Sequence, residues 1–156
     1  ILICEHSSDG SFGYKLNDKL SPDSIMSDLN QIIKENLYLG GPVENSYLNF
    51  IHSSDKIKDS DKITNDIYLG GDLDSLLEDV KNNVSDLKLK FFSGYSGWSA
   101  GQLDKEIEEN SWIVINEYIS NFIFDEIDEK FWTSFLSDKG GKNKIFSNYP
   151  KDPSLN

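Results

Sequence analysis

Glycine, serine and aromatic residues are concentrated between positions 91 and 103, which makes this segment the first candidate for a binding site. An apolar run is followed by three glycines and a polar stretch, a pattern that predicts a strand, a glycine-rich turn and a helix. Glycines let a ligand approach the backbone and a helix start presents free N–H groups, so such a corner is suited to bind an anion. The predicted binding residues are Gly94, Tyr95, Ser96, Gly97, Trp98, Ser99, Gly101 and Gln102.

This corner departs from the familiar phosphate-binding motifs. It has no Gly-Lys-Ser/Thr, and its glycines stand at positions 94, 97 and 101, which matches neither the P-loop nor the dinucleotide fingerprint. The chain also contains no arginine that would clamp a phosphate. The other interpretation is conformational: the glycines would allow Tyr95 and Trp98 to pack tightly where the strand meets the helix.

Cysteine and histidine, which often bind transition metals, form a second candidate site. In a strand Cys4 and His6 point to one face and Glu5 to the other, and His52 ends a later predicted strand. Together Cys4, His6 and His52 would offer three ligands to zinc, or a thiol beside an imidazole as in a cysteine nucleophile. The spacing differs from paired Cys-x-x-Cys patterns, and a lone cysteine in an apolar strand is usually a core residue. We therefore predict no metal and no cofactor.

Acidic residues are clustered in two segments, at positions 104–109 and 125–129. Paired carboxylates can hold a divalent cation or carry acid–base chemistry. Here they alternate with apolar residues on predicted helices, and Asp125 stands where a helix cap belongs. We interpret both clusters as solvated helix faces. Because no complete catalytic constellation remains, we predict no catalytic residue.

The charge of the chain restricts its partners. Twenty-seven acidic residues against fifteen basic ones give a net charge of −12, and every basic residue is a lysine. Nucleic-acid binding depends on a basic face and often on arginine forks, so DNA, RNA and anionic membranes are expected to be repelled. The remaining expectation is an unidentified protein partner or small ligand, and the oligomeric state is not indicated.

Helix and strand patterns alternate along the chain. Helices are predicted to start at the Ser21 cap with Pro22 in first position, at Asp72, at a Ser99–Gln102 capping box, and at Asp125. Strand patterns cover residues 1–4, 12–16, 47–52, 63–69, 87–92, 112–115 and 119–124. Short neighbouring strands argue against a purely parallel sheet. We predict an α+β fold: a mixed, largely antiparallel sheet or small barrel flanked by about four helices.

A short internal repeat marks two strand ends. Leu37–Pro42 and Ile67–Asp72 each contain Tyr-Leu-Gly-Gly after an apolar residue. Two copies of this length are too short for a repeat architecture. Each is instead typical of a strand that is stopped by a Gly-Gly turn.

The length of 156 residues predicts one domain over residues 1–156. No apolar run approaches the length of a membrane span. A single cysteine permits no internal disulfide, which fits a reducing cytoplasm. We therefore expect a cytoplasmic protein without membrane contact.

Several blocks resemble one bacterial family along essentially the whole chain. Residues 94–98 (Gly-Tyr-Ser-Gly-Trp), followed by Gly101-Gln102-Leu103, Glu106 and Ser111-Trp112, are similar to the hallmark block of the YqgE/AlgH family. The agreeing outer blocks are residues 1–6 with Gly10, Gly13 and Asn17, residues 40–43 with 52–53, residues 68–71, and residues 150–156. The resemblance implies a compact mixed α/β fold without the family's usual N-terminal segment. It also implies an unestablished role, with a transcriptional-regulator label on some members.

Two functions follow as expectations. The first is a non-enzymatic binding or regulatory protein that acts through a protein partner or small ligand rather than by direct DNA contact, with Tyr95 and Trp98 as aromatic anchors. The second is a small-molecule or anion-binding enzyme that uses the glycine-rich segment from Gly94 to Gly101. A histidine beside that segment in an open pocket would favour the enzyme, and two buried histidines elsewhere would count against it.

Overall fold

The computed structural model describes residues 1–21, 31–82, 86–115 and 120–127. The chain divides into two compact units, Ile1–Phe124 and Asp125–Asn156, and the helices and strands described below belong to the first. None of the helices within the described ranges is long and apolar enough to cross a membrane.

Seven strands form one sheet in the order β1-β2-β7-β4-β6-β5, and β3 pairs with β7. Only the β3–β7 pair is parallel among these strands. The sheet nearly closes into a barrel, so the predicted α+β class with a largely antiparallel sheet is confirmed. The strands are β1 Leu2–Ser7, β2 Gly10–Tyr14, β3 Leu37–Leu39, β4 Val43–His52, β5 Asp61–Thr64, β6 Ile67–Leu69 and β7 Leu89–Ser99.

Strand β7 holds the sheet together because it pairs with three others. Its first half pairs with β3 and β4, and residues Ser96 to Ser99 pair with β2. The predicted turn after residue 92 is therefore wrong: the strand continues through Gly94 and Gly97. Gly94 has φ +69 and lies where the register to β4 shifts, so it bends the strand at the point where the partners change. Backbone pairing on both sides outweighs the local turn preference of glycine.

Four helices occur within the described residues, and the longest has nine residues. Three have five residues or more and a fourth is a single turn: α1 Gln31–Glu35, α2 Leu73–Lys81, α3 Gln102–Glu108 and α4 Ser120–Ile123. The start of α2 is confirmed, since the Asp72 carboxylate accepts from the backbone N–H groups of Asp74 (3.0 Å) and Ser75 (3.2 Å). Asp72 also stabilises the helix as an anion at its N-terminus, and these bonds lower the pKa of its carboxyl.

Two predicted strands and one helix start are wrong. Residues 112–115 are not a strand because the Trp112 indole donates to Glu106 of α3, which places this segment against a helix. The strand predicted over 119–124 contains helix α4 instead. Residues 125–127 are not helical, so no helix begins at Asp125, and the rest of that prediction lies outside the described residues. The helix start predicted at Pro22 also falls outside them.

The Gly-Gly strand ends are confirmed. Strand β3 ends at Leu39 and β6 at Leu69, each directly before its Gly-Gly pair. Gly70 has φ +65, a conformation that glycine adopts without steric cost, which explains the stop after β6.

The core lies between the β4–β7 half of the sheet and helices α1 and α2. Phe91 and Leu76 are fully buried, and Ile33, Leu37 and Phe50 pack with them. On the β2 side the Tyr14 ring stacks on Phe92 with centroids 4.4 Å apart. A fully buried side chain of this size contributes about 1.5–3 kcal/mol, so these residues anchor β7 as the rigid centre of the sheet.

Candidate functional site

The three-stranded ladder β1–β2–β7 presents two rows of side chains on opposite faces. Glu5 pairs with Phe12 and Phe12 pairs with Gly97, which places one residue of each strand in a row. The adjacent row is His6, Ser11 and Trp98. Because successive residues of a strand point to opposite sides, the two rows face apart. We call the first the open face and the second the helix-covered face, since side chains of α3 bind the second.

Aromatic rings form the walls of a groove on the open face. The Phe12 ring stands at 81° to Tyr14 and at 80° to Tyr95, with centroids 6.1 and 6.2 Å apart. Tyr14 is 2% exposed, whereas Phe12 and Tyr95 are half-buried and border the groove. The groove has a volume of about 740 Å³. This is large enough for a small molecule or for a side chain of another protein.

Gly97 leaves the floor of this groove bare. A Cβ built at Gly97 would meet only the Tyr95 ring, at 3.1 and 3.7 Å, and its φ is not positive. At Gly10, by contrast, a Cβ would lie 2.6 Å from the Trp98 carbonyl oxygen, and at Gly41 it would collide with the Tyr95 backbone. The backbone conformation of Gly97 does not require a glycine, and the nearest neighbour of a Cβ there would be the Tyr95 ring, which belongs to a half-buried side chain rather than to the backbone. The missing side chain at Gly97 leaves open space beside the rings of Phe12 and Tyr95.

The charged groups along the groove are acidic. Glu5 and Asp9 line it and are exposed, and the described lining residues include no lysine. Within the described part of the chain neither carboxylate forms an ion pair. The groove therefore combines π faces with uncompensated negative charge.

The helix-covered face is closed by a network around Glu106 of α3. One oxygen of its carboxylate accepts from the indole N–H groups of Trp112 (2.7 Å) and Trp98 (3.0 Å), and the other accepts from Gln102 (2.9 Å). The bonds from Trp112, Gln102 and Trp98 lower the pKa of the Glu106 carboxyl because they stabilise its charged form. The two indole rings meet edge to face at 5.8 Å.

His6 joins β1, β2 and α3 on this same face. Its Nδ1 lies 2.6 Å from the Ser11 Oγ and its Nε2 lies 3.2 Å from a carboxylate oxygen of Asp104. Because a carboxylate only accepts, Nε2 carries the proton in the neutral ring and Nδ1 accepts from the Ser11 hydroxyl. The His6 side chain is 48% exposed, whereas Ser11 is 9% exposed. The structure thus places a histidine next to the Trp98 end of β7, between a hydroxyl and a carboxylate.

The eight predicted binding residues divide into two groups. Tyr95, Gly97 and Ser99 line the groove from the open face, and Trp98, whose indole is bonded to Glu106 on the helix-covered face, also borders it. The others serve the fold: Gly94 bends β7, Ser96 donates to the Gly40 carbonyl oxygen (3.2 Å), Gly101 caps α3 with φ +69, and Gln102 binds α3 to β7.

The predicted Ser99–Gln102 capping box is formed only in half. The Gln102 side chain accepts from the Ser99 backbone N–H at 3.0 Å, as a capping box requires. The cap position itself is taken by Gly101, and the cap has no side-chain hydrogen bond. Ser99 is the last residue of β7, paired with Gly10, and α3 begins only at Gln102, so Ser99 does not stand directly before the helix.

The metal candidates Cys4, His6 and His52 do not meet. No group of three metal-binding side chains occurs among the residues the structure describes. Cys4 lies at the bulge between Ile3 and Glu5, and its thiol faces the Leu2 carbonyl oxygen at 3.8 Å. Burial raises the pKa of the Cys4 thiol to about 12, which keeps it protonated and unreactive.

His52 is fully buried in β4, away from the helix-covered face. Its Nε2 lies 3.0 Å from the Gly70 carbonyl oxygen and its ring stacks on Tyr68 at 5.7 Å. Burial lowers the pKa of His52, since the charged ring would lose its hydration, although the Gly70 and Ser54 backbones act in the opposite direction. His52 therefore joins the ends of β4 and β6 and takes no part in the groove.

Sequence reasoning missed half of the site. Phe12 and Tyr14 were predicted only as strand residues, and Asp9 was given no role. Asp104 and Glu106 were interpreted as part of a solvated helix face. Because alternate residues of a strand point to the same side, the sequence of β1 and β2 indicates which of their residues share a face. The pairing of β2 with β7 has no such signal in the sequence, because it joins segments more than eighty residues apart.

Comparisons with known proteins agree with this architecture. A family model described as AlgH-like matches residues 1–144. The UPF0301 proteins of Cytophaga hutchinsonii and Parabacteroides distasonis are each 38% identical over 161 residues, covering 100% of this chain and 87% and 81% of theirs.

Two solved structures share the fold. The AlgH protein from Pseudomonas aeruginosa has a TM-score of 0.65 at 21% identity, covering 96% of this chain and 83% of that one. Protein DIP2367 from Corynebacterium diphtheriae has a TM-score of 0.68 at 21% identity, covering 95% and 81%. With the family model and the relatives, this confirms the resemblance found in the sequence: the chain belongs to the YqgE/AlgH family.

Proposed function

We propose that this protein is a non-enzymatic binding protein that holds a small ligand, or a side chain of a protein partner, in the open-face groove. The observation that carries the proposal is the bare floor at Gly97, beside the rings of Phe12 and Tyr95. Flat apolar walls around an unfilled position suit a planar or compact apolar group. Any regulatory effect then runs through the occupant of this groove.

Direct contact with DNA is disfavoured by charge. The net charge of −12 repels phosphate, and Glu5 and Asp9 add negative charge at the groove. A gel-shift measurement at moderate salt is expected to give no complex with duplex DNA. A complex whose affinity falls steeply with salt would contradict the proposal.

The proposal is tested by filling the groove. Indole, a neutral planar probe, is titrated into labelled protein while backbone amide shifts are followed by NMR. We expect shifts confined to the amides around Phe12, Tyr95 and Gly97. The variant Gly97→Val places two methyl groups in the space, and valine suits a strand, so the fold is retained while indole affinity falls at least about tenfold.

Gly101→Asn is the matched control. Gly101 has open space around it and φ +69, which asparagine tolerates, and it lies outside the groove lining. Its indole affinity should equal that of the wild type. Equal affinity in Gly97→Val and the wild type would overturn the proposal.

A second candidate function, ester hydrolysis, is favoured by the chain of contacts from Ser11 through His6 to Asp104. In this reaction the Ser11 oxygen bonds to the ester carbonyl carbon while its proton passes to His6 Nδ1. The ester C–O bond then breaks, and His6 returns the proton to the leaving alcohol. Water, activated in the same way, releases the acid and restores Ser11.

The enzyme candidate has its own test. A fluorophosphonate reagent is incubated with the protein, and the modified residue is located by mass spectrometry. Labelling at Ser11 that is lost in His6→Asn supports hydrolysis. Absence of labelling at Ser11 rejects this candidate and leaves the binding proposal intact.

A further inference from the structure

Within the proposed binding groove, we infer that the occupant is a cation, specifically an alkylated ammonium group. The inference rests on the proposed function, and it names the ligand class that the groove selects. It follows from the ring geometry, the charge of the lining and the bare floor taken together.

The ring geometry provides a corner for a cation. Phe12 and Tyr95 are nearly perpendicular, with centroids 6.2 Å apart, and both lie beside Gly97. Phe12 pairs with Gly97 across β2 and β7, and the Tyr95 ring is the nearest neighbour of a Cβ built at Gly97. Each aromatic face carries negative electrostatic potential and attracts a cation placed within about 6 Å of the ring centroid. Tyr14, packed behind Phe12 at 81°, holds that ring in position. Two nearly perpendicular rings beside a bare floor fit a compact, rounded group better than a flat one.

The charge of the lining points the same way. Glu5 pairs with Phe12 across β1 and β2, so its carboxylate shares the open face with that ring. Asp9 lies at the tip of the β1–β2 hairpin, at the edge of the same groove. An anion here would face two carboxylates without a compensating lysine in the described lining, and a neutral ligand would gain nothing from them. A cation gains from the carboxylates and the rings together.

The exposure of the groove to water favours an alkylated ammonium group over a bare one. The groove is open to water, and a bare ammonium is strongly hydrated, which reduces its attraction to a ring. Methyl groups on the nitrogen spread its charge, weaken hydration and fill the space that the missing Cβ at Gly97 leaves. The same group occurs on free choline-like molecules and on methylated lysine side chains.

The test compares two molecules of the same shape. Choline and 3,3-dimethylbutan-1-ol are titrated separately into the protein at low ionic strength, and the shifts of groove amides are followed by NMR. They differ only in the charged nitrogen, which replaces a carbon. We expect choline to bind about tenfold more tightly, and the difference to shrink as salt is added.

Variants separate charge from shape. Glu5→Gln should reduce the affinity for choline several-fold and leave the affinity for 3,3-dimethylbutan-1-ol unchanged. The control Glu108→Gln, at an exposed site on α3 outside the groove, should change neither affinity. Phe12→Leu keeps an apolar side chain but removes a π face, so it should abolish the preference for choline. Insensitivity of that preference to both Glu5→Gln and Phe12→Leu would overturn the inference.

The outcomes distinguish this inference from the proposed function. Equal affinity for choline and the alcohol rejects the cation but keeps the groove as a binding site. Binding of indole without choline does the same. Failure of all three probes rejects both proposals. If choline binds, the affinity for Nα-acetyl-trimethyllysine amide identifies the source of the ammonium group. Tighter binding than choline assigns it to a protein partner, and equal or weaker binding assigns it to a free molecule. Either result supports a cationic occupant.

Discussion

The two faces of the β1–β2–β7 ladder differ although neighbouring residues build them. On the helix-covered face His6, Trp98 and Glu106 form hydrogen bonds among themselves and with α3. On the open face the Phe12 ring meets Tyr14 and Tyr95 edge to face, and the Glu5 carboxylate has no hydrogen-bond or ion-pair partner in the described residues. The two faces of one ladder can therefore serve different purposes. The helix-covered face, whose polar groups are hydrogen-bonded, stabilises the fold, and the open face remains accessible to a ligand.

The largest expected effect is the loss of stability when the buried Tyr14 ring, which packs against Phe12 of the open face, is removed. Tyr14→Ala removes a ring that is 2% exposed and stacked on Phe92, so we expect a loss of about 3 kcal/mol or more in the free energy of unfolding. Urea denaturation measures it. The same substitution at Tyr47, which is 65% exposed, is the control and should change stability by less than about 0.5 kcal/mol. Similar losses at both sites would show that the ring does not support the groove.

Two glycines of the ladder should respond in opposite directions. A Cβ at Gly13 would collide with the Leu2 carbonyl oxygen on β1, so Gly13→Ala should cost about 1–3 kcal/mol. Gly97→Ala meets only the Tyr95 ring and should be neutral or stabilise by about 0.5 kcal/mol, because alanine loses less backbone entropy than glycine. Chemical denaturation of both variants checks the contrast, and an equal loss in both would mean that Gly97 is also required for packing.

Lowering the pH should reduce the stability that the Glu106 network on the helix-covered face contributes. The pKa of Glu106 is lowered from 4.5 by the bonds from Trp112, Gln102 and Trp98, so its contribution to stability is present above pH 4.5 and is lost as the pH falls through the folded-state pKa. The stability advantage of the wild type over Glu106→Gln should therefore shrink steadily below pH 4.5. Denaturation monitored by tryptophan fluorescence measures it, with Glu108→Gln as control. A pH-independent advantage would show that the carboxylate charge is unimportant.

The smallest expected effect is at the centre of the helix-covered row. Ser11→Ala deletes the hydroxyl that contacts His6 at 2.6 Å and should cost about 1 kcal/mol. Ser7→Ala, at an exposed position of the same hairpin, should cost less. Both serines border the groove, but the Ser11 hydroxyl contacts His6 on the helix-covered face, so indole binding should be unchanged in Ser11→Ala if the two faces act independently. Weaker binding in Ser11→Ala would instead couple the faces and favour the hydrolase candidate.

Local signals predicted the parts of this fold that depend on neighbouring residues. Asp72 caps α2 through its own side chain, and the Gly-Gly pairs stop β3 and β6, because both effects act within a few residues. The strand pattern at residues 119–124 was wrong, since apolar aromatic composition alone does not separate a buried helical turn from a strand. Gln102 was correctly expected to reach back to Ser99, although the cap itself is Gly101.

The sequence by itself determined the family, the acidic character and the alternation that sets Glu5 apart from His6. Only the tertiary structure decided that β7 runs through Gly94 and Gly97, and that Phe12 meets Tyr95. Pairing between β2 and β7 is a long-range contact whose free energy comes from the assembled sheet, so no local pattern reports it. For the same reason a glycine that looked like part of a turn is the bare floor of a groove.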